Sequence, residues 1–372
     1  MSSSDYRRVT RRRVCRVCGK PDWCSYTPDE KISFCARSVL GADRISRTGW
    51  GIFFHDYAQS SFRSLPFPPK TTRKKPELAP IEIRDFAYRK LIELAPSTNS
   101  KEIIDGPKGL RARGILDFEN YGSLPRSRNE RNDIANQIWR LIHREFPESL
   151  RNKLSICGIP GFWFDKSGKF GLWTDRNYSV PMLLIPYRDP NGLIQACQIR
   201  FMFRAVKDIR YVWLSTPKKT NGISSGTPIH FASRKKGGAR IPVLITEGAL
   251  KAQTAQAFYP NLTVIAAGGV SCSQEEIIAA TRLRPILIAF DNDYRHNHQI
   301  ARHILRLVEK RFADAKRYEY EAKTNFLVWS DKFKGIDDAL LNNASFLVKT
   351  PSEWIKTFDD PVVERLNSNL LN

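Results

Sequence analysis

Between residues 243 and 330 the chain alternates short apolar runs with stretches of helical spacing. "VLIT" is followed by a helical pattern from Ala249, "LTVIA" by one near "SQEEIIAAT", and "ILIAF" by one through "IARHILRLVEKRF". Strands joined by crossover helices pair in parallel, so this alternation predicts a parallel α/β sheet with helices on its faces. The sequence has no internal repeat and no G-x-x-x-x-G-K-[ST] phosphate loop, which argues against a P-loop motor. It also has no run of 18 apolar residues, so no transmembrane helix is expected.

The predicted strands end in chemically distinctive residues. "VLITEG" closes on Glu247 and Gly248, "LTVIAAGGV" on Gly268 and Gly269, and "ILIAFDND" on Asp291 and Asp293. In such sheets functional groups gather at the carboxyl ends of the strands. On an extended backbone Asp291 and Asp293 point to the same side. Two carboxylates held together need compensation, and with Glu247 they could bind one or two Mg²⁺ ions through hard oxygen ligands. Asp337 and Asp338 in "KGIDDALL" are further candidate ligands, with helix capping by Asp337 the competing role.

A formal net charge of +22 favours a polyanionic partner, above all nucleic acid. Four of the seven cysteines lie near the start, Cys15, Cys18, Cys24 and Cys35, at spacing C-x2-C-x5-C-x10-C. That spacing predicts a closed structural zinc site, which would supply much of the stability of a unit with few large aliphatics. Arg11, Arg12, Arg13, Arg16 and Arg37 crowd this unit and suggest that it touches nucleic acid. "MSSSDYRRVTRRRVC" carries no apolar core behind its basic residues, so it does not read as a signal peptide. Cys157, Cys197 and Cys272 read as small buried hydrophobes in a reducing cytoplasm. His296, His298 and His303 are poorly spaced for a shared metal.

A Pro-rich basic linker covers residues 61–80. Helical stripes follow at Ile83, Ala87, Leu91 and Leu94, then at Ile134, Ile138, Leu141 and Ile142. "PMLLIPYRDPNGLIQACQIRFMF" reads as a hairpin turning at "DPNG", and "DIRYVWLST" as a further strand. Tyr211 and Trp213 share one side of that strand, either as core or as stacking surfaces for bases.

The Glu-Gly, glycine-loop and D-x-D succession resembles the TOPRIM domain of bacterial-type DNA primases, topoisomerases and certain nucleases. Upstream, "RGILDFENYGSLP", "GIPGFWF", "LLIPYRDPNGLIQACQIR", "RYVWLST" and "KGIDDALL" resemble primase-like replication proteins of plasmids and other mobile elements. The resemblance implies an α/β multidomain chain: a zinc-binding ribbon over 1–60, the linker over 61–80, and a mixed α+β primase-like region over 81–235. A TOPRIM parallel-sheet, Rossmann-like domain over 236–345 and a helical tail over 346–372 would complete it. It implies synthesis of short primers on single-stranded DNA by metal-dependent nucleotidyl transfer, in the cytoplasm at the nucleoid. A TOPRIM nuclease and a non-catalytic single-strand-binding protein are the alternatives. Glu247, Asp291 and Asp293 would be catalytic, with structural Zn²⁺ and catalytic Mg²⁺ or Mn²⁺ as cofactors. Arg200, Arg204, Lys207, Arg210, Tyr211, Lys251, Gly268 and Gly269 would contact template or nucleotide. Nucleoside triphosphates, a single-stranded DNA template and a replicative helicase would be partners, with no membrane. One departure stands out: four residues after the Glu such primases typically carry Asp, where this chain has Lys251.

Overall fold

Strand β9, Met182–Arg188, explains how the larger part of the chain is put together. Its run "MLLIPY" is buried on both faces, Met182 and Leu184 facing one core and Leu183, Ile185 and Tyr187 another. A strand covered on both sides needs an unbroken apolar run rather than an alternating one. The computed structural model describes residues 6–38, 42–46, 50–55, 77–146, 158–164, 170–203, 209–233 and 240–363. The chain divides into two units, Met1–Lys75 and Pro76–Asn372.

The first unit is a five-stranded antiparallel sheet of β1 (Arg7–Arg8), β2 (Ser25–Tyr26), β3 (Ile32–Cys35), β4 (Arg44–Ile45) and β5 (Gly51–Phe54), in the order β1-β2-β3-β5-β4. Its fully buried apolar side chains among the described residues are Val9, Cys15, Cys24 and Cys35. A core this small leaves little hydrophobic stabilisation for the unit.

The second unit has two main sheets. Helices α1 (Ile81–Leu94), α2 (Lys101–Ile104) and α3 (Arg128–Glu145) accompany an antiparallel sheet of β6 (Gly122–Leu124), β9, β10 (Ile194–Phe201) and β11 (Tyr211–Trp213), in the order β11-β10-β9-β6. Strands β7 (Phe162–Phe164) and β8 (Phe170–Leu172) form a separate hairpin. The turn between β9 and β10 falls in "DPNGL" as expected, with Asp189 Oδ1 accepting from the Asn191 and Leu193 amides. The α1 stripe buries Ile83, Ala87 and Leu91, but Leu94 is exposed, because the helix ends there. On α3, Ile134, Ile138 and Ile142 are buried and Leu141 is half-buried.

The other sheet comprises β12 (His230–Phe231), β13 (Val243–Glu247), β14 (Thr263–Ala267), β15 (Ile286–Ala289), β16 (Thr324–Val328) and β17 (Leu347–Lys349). Their order is β12-β14-β13-β15-β16-β17, with four parallel central strands and an antiparallel strand at each edge. The helices α4 (Ala249–Phe258), α5 (Gln274–Thr281), α6 (His298–Arg317), α7 (Ile336–Leu341) and α8 (Pro351–Ile355) complete it. Val243 and Ile245 of β13 enter one core with α5 and α6, while Leu244 enters the other with α4 and α7. Both faces are therefore covered, as the sequence alternation requires. The segment after residue 345, expected to be helical, begins as edge strand β17 and is then helical at α8 and again over 360–363. There Phe326 stacks on Trp354 at 4.0 Å, so pairing along β16 and an aromatic anchor decide the conformation. No helix of the described residues is long and apolar enough to cross a membrane.

His230 ties the sheets together: its buried Nδ1 accepts the Arg188 amide proton at 3.1 Å, joining β12 to β9. Burial, then the nearby Arg188 charge, lowers its pKa to about 3. The folded state keeps this imidazole neutral while the unfolded chain protonates it near pH 6.5, so the stability it preserves is present above that pH and lost below it. Stability should fall by up to ~1.4 kcal/mol per pH unit between about pH 6.5 and pH 3 from this group alone. Urea unfolding at about pH 7.5 and about pH 5.5 should show a shallower pH slope for His230→Asn than for the wild type; equal slopes would contradict the assignment.

Candidate metal and nucleotide site

The strand order locates the crevice. From β13 the chain crosses to β14 on one side and then returns past β13 to β15 on the other. Such a reversal leaves an opening at the carboxyl ends of the two strands that flank it. Glu247 is the last residue of β13, and Asp291 follows β15, whose Ala289 pairs with Thr246. Gly248 turns the chain from β13 into α4 at φ 85°, a region that favours glycine, while its N–H donates to the Ala267 carbonyl at 2.8 Å.

Asp293 does not continue the extended backbone on which Asp291 lies. β15 stops at Ala289, and Asn292–Arg295 form a single 3₁₀ turn, so the two carboxylates meet different partners. Buried Asn292 between them donates to the Ser330 and Phe333 carbonyls, and its own N–H donates to the Lys334 carbonyl at 2.9 Å. This lock brings the 330–335 loop against the aspartates. The Asp291 carboxylate is buried and ion-paired with Lys251 of α4. Asp293 is half-exposed and pairs with Lys334 at 2.6 Å. Asp337, at the start of α7 and 2% exposed, pairs with Arg113. Asp338 faces solvent, away from the others, because consecutive helical residues point in different directions.

Four carboxylates are thus interleaved with three cations, and Glu247 has no hydrogen-bond or ion-pair partner among the described residues. Burial, then the Asp291 charge, raises the Glu247 pKa above the ordinary carboxylate range. Burial also raises Asp291, against the pull of Lys251. Burial alone would lower the Lys251 pKa, but Asp291, Asp337 and Glu247 outweigh it and hold the ammonium protonated.

Hard oxygen donors suit Mg²⁺ or Mn²⁺. Two observations fit such an ion: the Asp337 Oδ1 is buried without a hydrogen-bond partner, and the Glu247 carboxylate is uncommitted. Among the described residues, however, the four cysteines are the set of His, Cys, Asp or Glu side chains whose ligand atoms already lie within 4.8 Å of one another.

Beside Glu247, the one carboxylate among its lining residues, Arg113, Gln198, Tyr211, Lys251 and Gly268 line a cavity of 110 Å³. Tyr211 is 41% exposed, and Arg210 beside it is exposed. Trp213 is half-buried, packing edge-on against Tyr187 at 4.6 Å, so it belongs to the core side of β11. Arg200 is buried, its Nη1 donating to the Lys108 carbonyl at 2.5 Å, and with Lys108 and Arg210 it lines a second cavity of 350 Å³. Gly269 is half-buried in the loop after β14. Arg204, Lys207 and Cys157 lie outside the described residues. Cys197 is buried and its thiol is pushed up by that burial; Cys272 is half-buried. His296 pairs with Asp359 at 2.5 Å rather than with the other histidines.

In the first unit the Sγ atoms of Cys18 and Cys24 are 3.7 Å apart and those of Cys24 and Cys35 are 3.9 Å apart. Zinc–sulfur bonds of about 2.3 Å at tetrahedral angles require edges of roughly 3.8 Å, so this cluster could hold zinc without rearrangement. Burial opposes ionisation at Cys18, but the Lys20 amide and the neighbouring thiols lower its pKa to about 7, while burial pushes Cys24 up to about 12. Arg13 and Arg16 pair with Glu30, and Arg37 with Asp22, leaving Arg7, Arg8, Arg11 and Arg12 as the exposed basic edge.

No family model matches the sequence, and no curated protein matches it. Among solved structures the chain is similar to a DNA primase domain from Pseudomonas aeruginosa, 19% identical over 72% of this chain and 76% of that one, TM-score 0.45. It is also similar to the RNA polymerase domain of Mycobacterium tuberculosis primase, 15% identical over 69% and 81%, TM-score 0.43. The zinc-binding and RNA polymerase domains of the Aquifex aeolicus primase are 12% identical over 93% and 81%, TM-score 0.45.

Arg113, Lys334 and Gly335 were not evident from sequence. Arg113 lies 224 residues from its partner Asp337, and nothing near it in the sequence marks the pairing. Lys334 and Gly335 sit beside the acidic pair in "KGIDD", which was the available signal. A Cβ at position 335 would come within 2.5 Å of Asp337 Oδ1 and 2.9 Å of Lys251 Cε. Gly335→Ala should therefore destabilise the second unit by about 1–3 kcal/mol, measurable by urea unfolding. Cys24→Ser should lower the zinc content measured by atomic absorption and abolish cooperative folding of the first unit, leaving the main thermal transition in place.

Proposed function

We propose that this chain is a primase-like nucleotidyltransferase that joins nucleoside triphosphates into short primers on single-stranded DNA. The observation that carries the reading is the acidic cluster at the point of strand-order reversal, whose Glu247 lines a cavity together with Tyr211 and Lys251. Glu247, Asp291 and Asp293 are the proposed catalytic carboxylates, and Asp337, paired with Arg113, lies beside Asp291. A divalent ion held by these oxygens would polarise phosphate and lower the pKa of an attacking hydroxyl. Arg210 offers charge to phosphates and Tyr211 a ring to a base, whereas Arg200 positions the Lys108 loop. Gly268 and Gly269 shape the loop beside the cavity. The exposed arginines of the first unit supply a sequence-independent grip on the template. The proposed setting, replication of a plasmid or other mobile element with a separate helicase, rests on the sequence resemblance.

The protein incubated with single-stranded DNA, labelled nucleoside triphosphates and Mg²⁺ or Mn²⁺ should yield template-dependent oligonucleotides, and Asp291→Asn should lower the yield by about 100-fold or more. Shortened DNA in place of new strands would identify a nuclease using the same carboxylates. Tight, salt-sensitive binding with neither product would identify a single-strand-binding protein.

A further inference from the structure

Lys251 is unusual company for a metal site. It projects from the first turn of α4 into the carboxylate cluster, and its ammonium is bonded to Asp291 Oδ1. Its side chain is 19% exposed and that of Asp291 is 7% exposed, so water screens the pair weakly. Three groups converge on Gly335: Asp337 Oδ1, Lys251 Cε and Asp291 Oδ1 all lie within 3.4 Å of the point where a Cβ would stand. Asp337 Oδ1 is buried there without a hydrogen-bond partner, while Asp337 Oδ2 is taken by Arg113. An unpartnered buried carboxylate oxygen beside a second carboxylate is a position that attracts a cation. In this chain a cation is already present, and it is covalently attached.

We propose that Lys251 is the resident cation of the inner half of the cluster: its ammonium, bonded to Asp291 Oδ1 with Asp337 close by, takes the place of a second divalent ion. The site then binds one divalent ion rather than two. That ion lies on the outer side, where Glu247 is uncommitted and Asp293 is tied only to exposed Lys334. The inference rests on the metal-dependent reading given above and specifies its stoichiometry. An ammonium and a divalent ion cannot share one carboxylate oxygen at close range without strong repulsion, so occupancy of the inner position by Lys251 excludes the metal from it. Gly335 is part of the same device, since any side chain there would push Asp337 and Lys251 apart.

The test is a titration of the zinc-loaded full chain with Mn²⁺, counting bound ions by the loss of the free-ion electron paramagnetic resonance signal. The wild type should bind one Mn²⁺ and Lys251→Asp two. Lys251→Met leaves the inner carboxylates without a counter-ion, so it should bind Mn²⁺ roughly tenfold more tightly than the wild type, a modest figure for one unit charge removed at short range. Its melting temperature should also rise more with added Mn²⁺ than that of the wild type, a readout independent of activity and usable if the aspartate variant folds poorly. Two ions bound by the wild type would overturn the proposal while leaving the metal-dependent reading intact. Equal affinity and equal thermal response in Lys251→Met and the wild type would overturn it as well. No ion bound by any of the three proteins would remove both this inference and the reading beneath it.

Discussion

The second unit holds together around a constraint set by charge. Glu247, Asp291, Asp293 and Asp337 are gathered at one crevice, with Asp291 and Asp337 buried, and like charges at such a place repel strongly. Lys251, Lys334 and Arg113 compensate them from three different segments: helix α4, the loop before α7 and the loop after α2. Each ion pair is therefore also a tertiary contact. Removing one partner of a buried pair typically costs about 3–5 kcal/mol, because the remaining charge is left uncompensated. The geometry of the site and the docking of these segments are consequently the same physical fact.

Strand β9 provides the rigid support. Because it is buried on both faces, the helical layer of α1 and α3 and the start of α4 are registered against one strand. Ala249 and Leu250, immediately after Glu247 and Gly248, pack into the core that also holds Ile185 and Tyr187. Displacement of the antiparallel sheet would thus be transmitted directly to the residues that form the crevice. Tyr211 reaches the same cavity from β11 through the pairing of Arg200 with Tyr211 across β10. The first unit depends on a different interaction. With one valine and three cysteines as its buried core, it can gain more from four thiolates on one ion than from apolar burial.

The parallel sheet, the hairpin at Asp189 and the cysteine cluster were legible in the sequence because each rests on local pattern: apolar periodicity, turn chemistry or ligand spacing. The edge strand at Leu347–Lys349 was not, since its conformation follows from pairing with β16 and from the stacking of Trp354 on Phe326. The exposure of Leu94 was also missed, as a helical stripe does not show where its covering layer ends. Asp291 and Asp293 were legible as a pair but not in their orientation, because the turn that separates them is fixed by Asn292 bonding to the 330–334 segment.

By itself the sequence determined the alternation of strands and helices over residues 243–330, the residue types at the strand ends and the presence of a lysine four positions after Glu247. Those are properties of spacing and side-chain chemistry, fixed before the chain folds. Only the tertiary structure decided which cation meets which carboxylate, because Arg113 and Asp337 are neighbours in space while 224 positions apart in the chain. It also decided that Asp338 faces water while Asp337 is buried, since the packing of α7 selects which side of the helix enters the cluster. An acidic motif read along the chain carries its full negative charge; in the folded protein that charge is largely balanced from within, and the balance depends on contacts that local sequence does not encode.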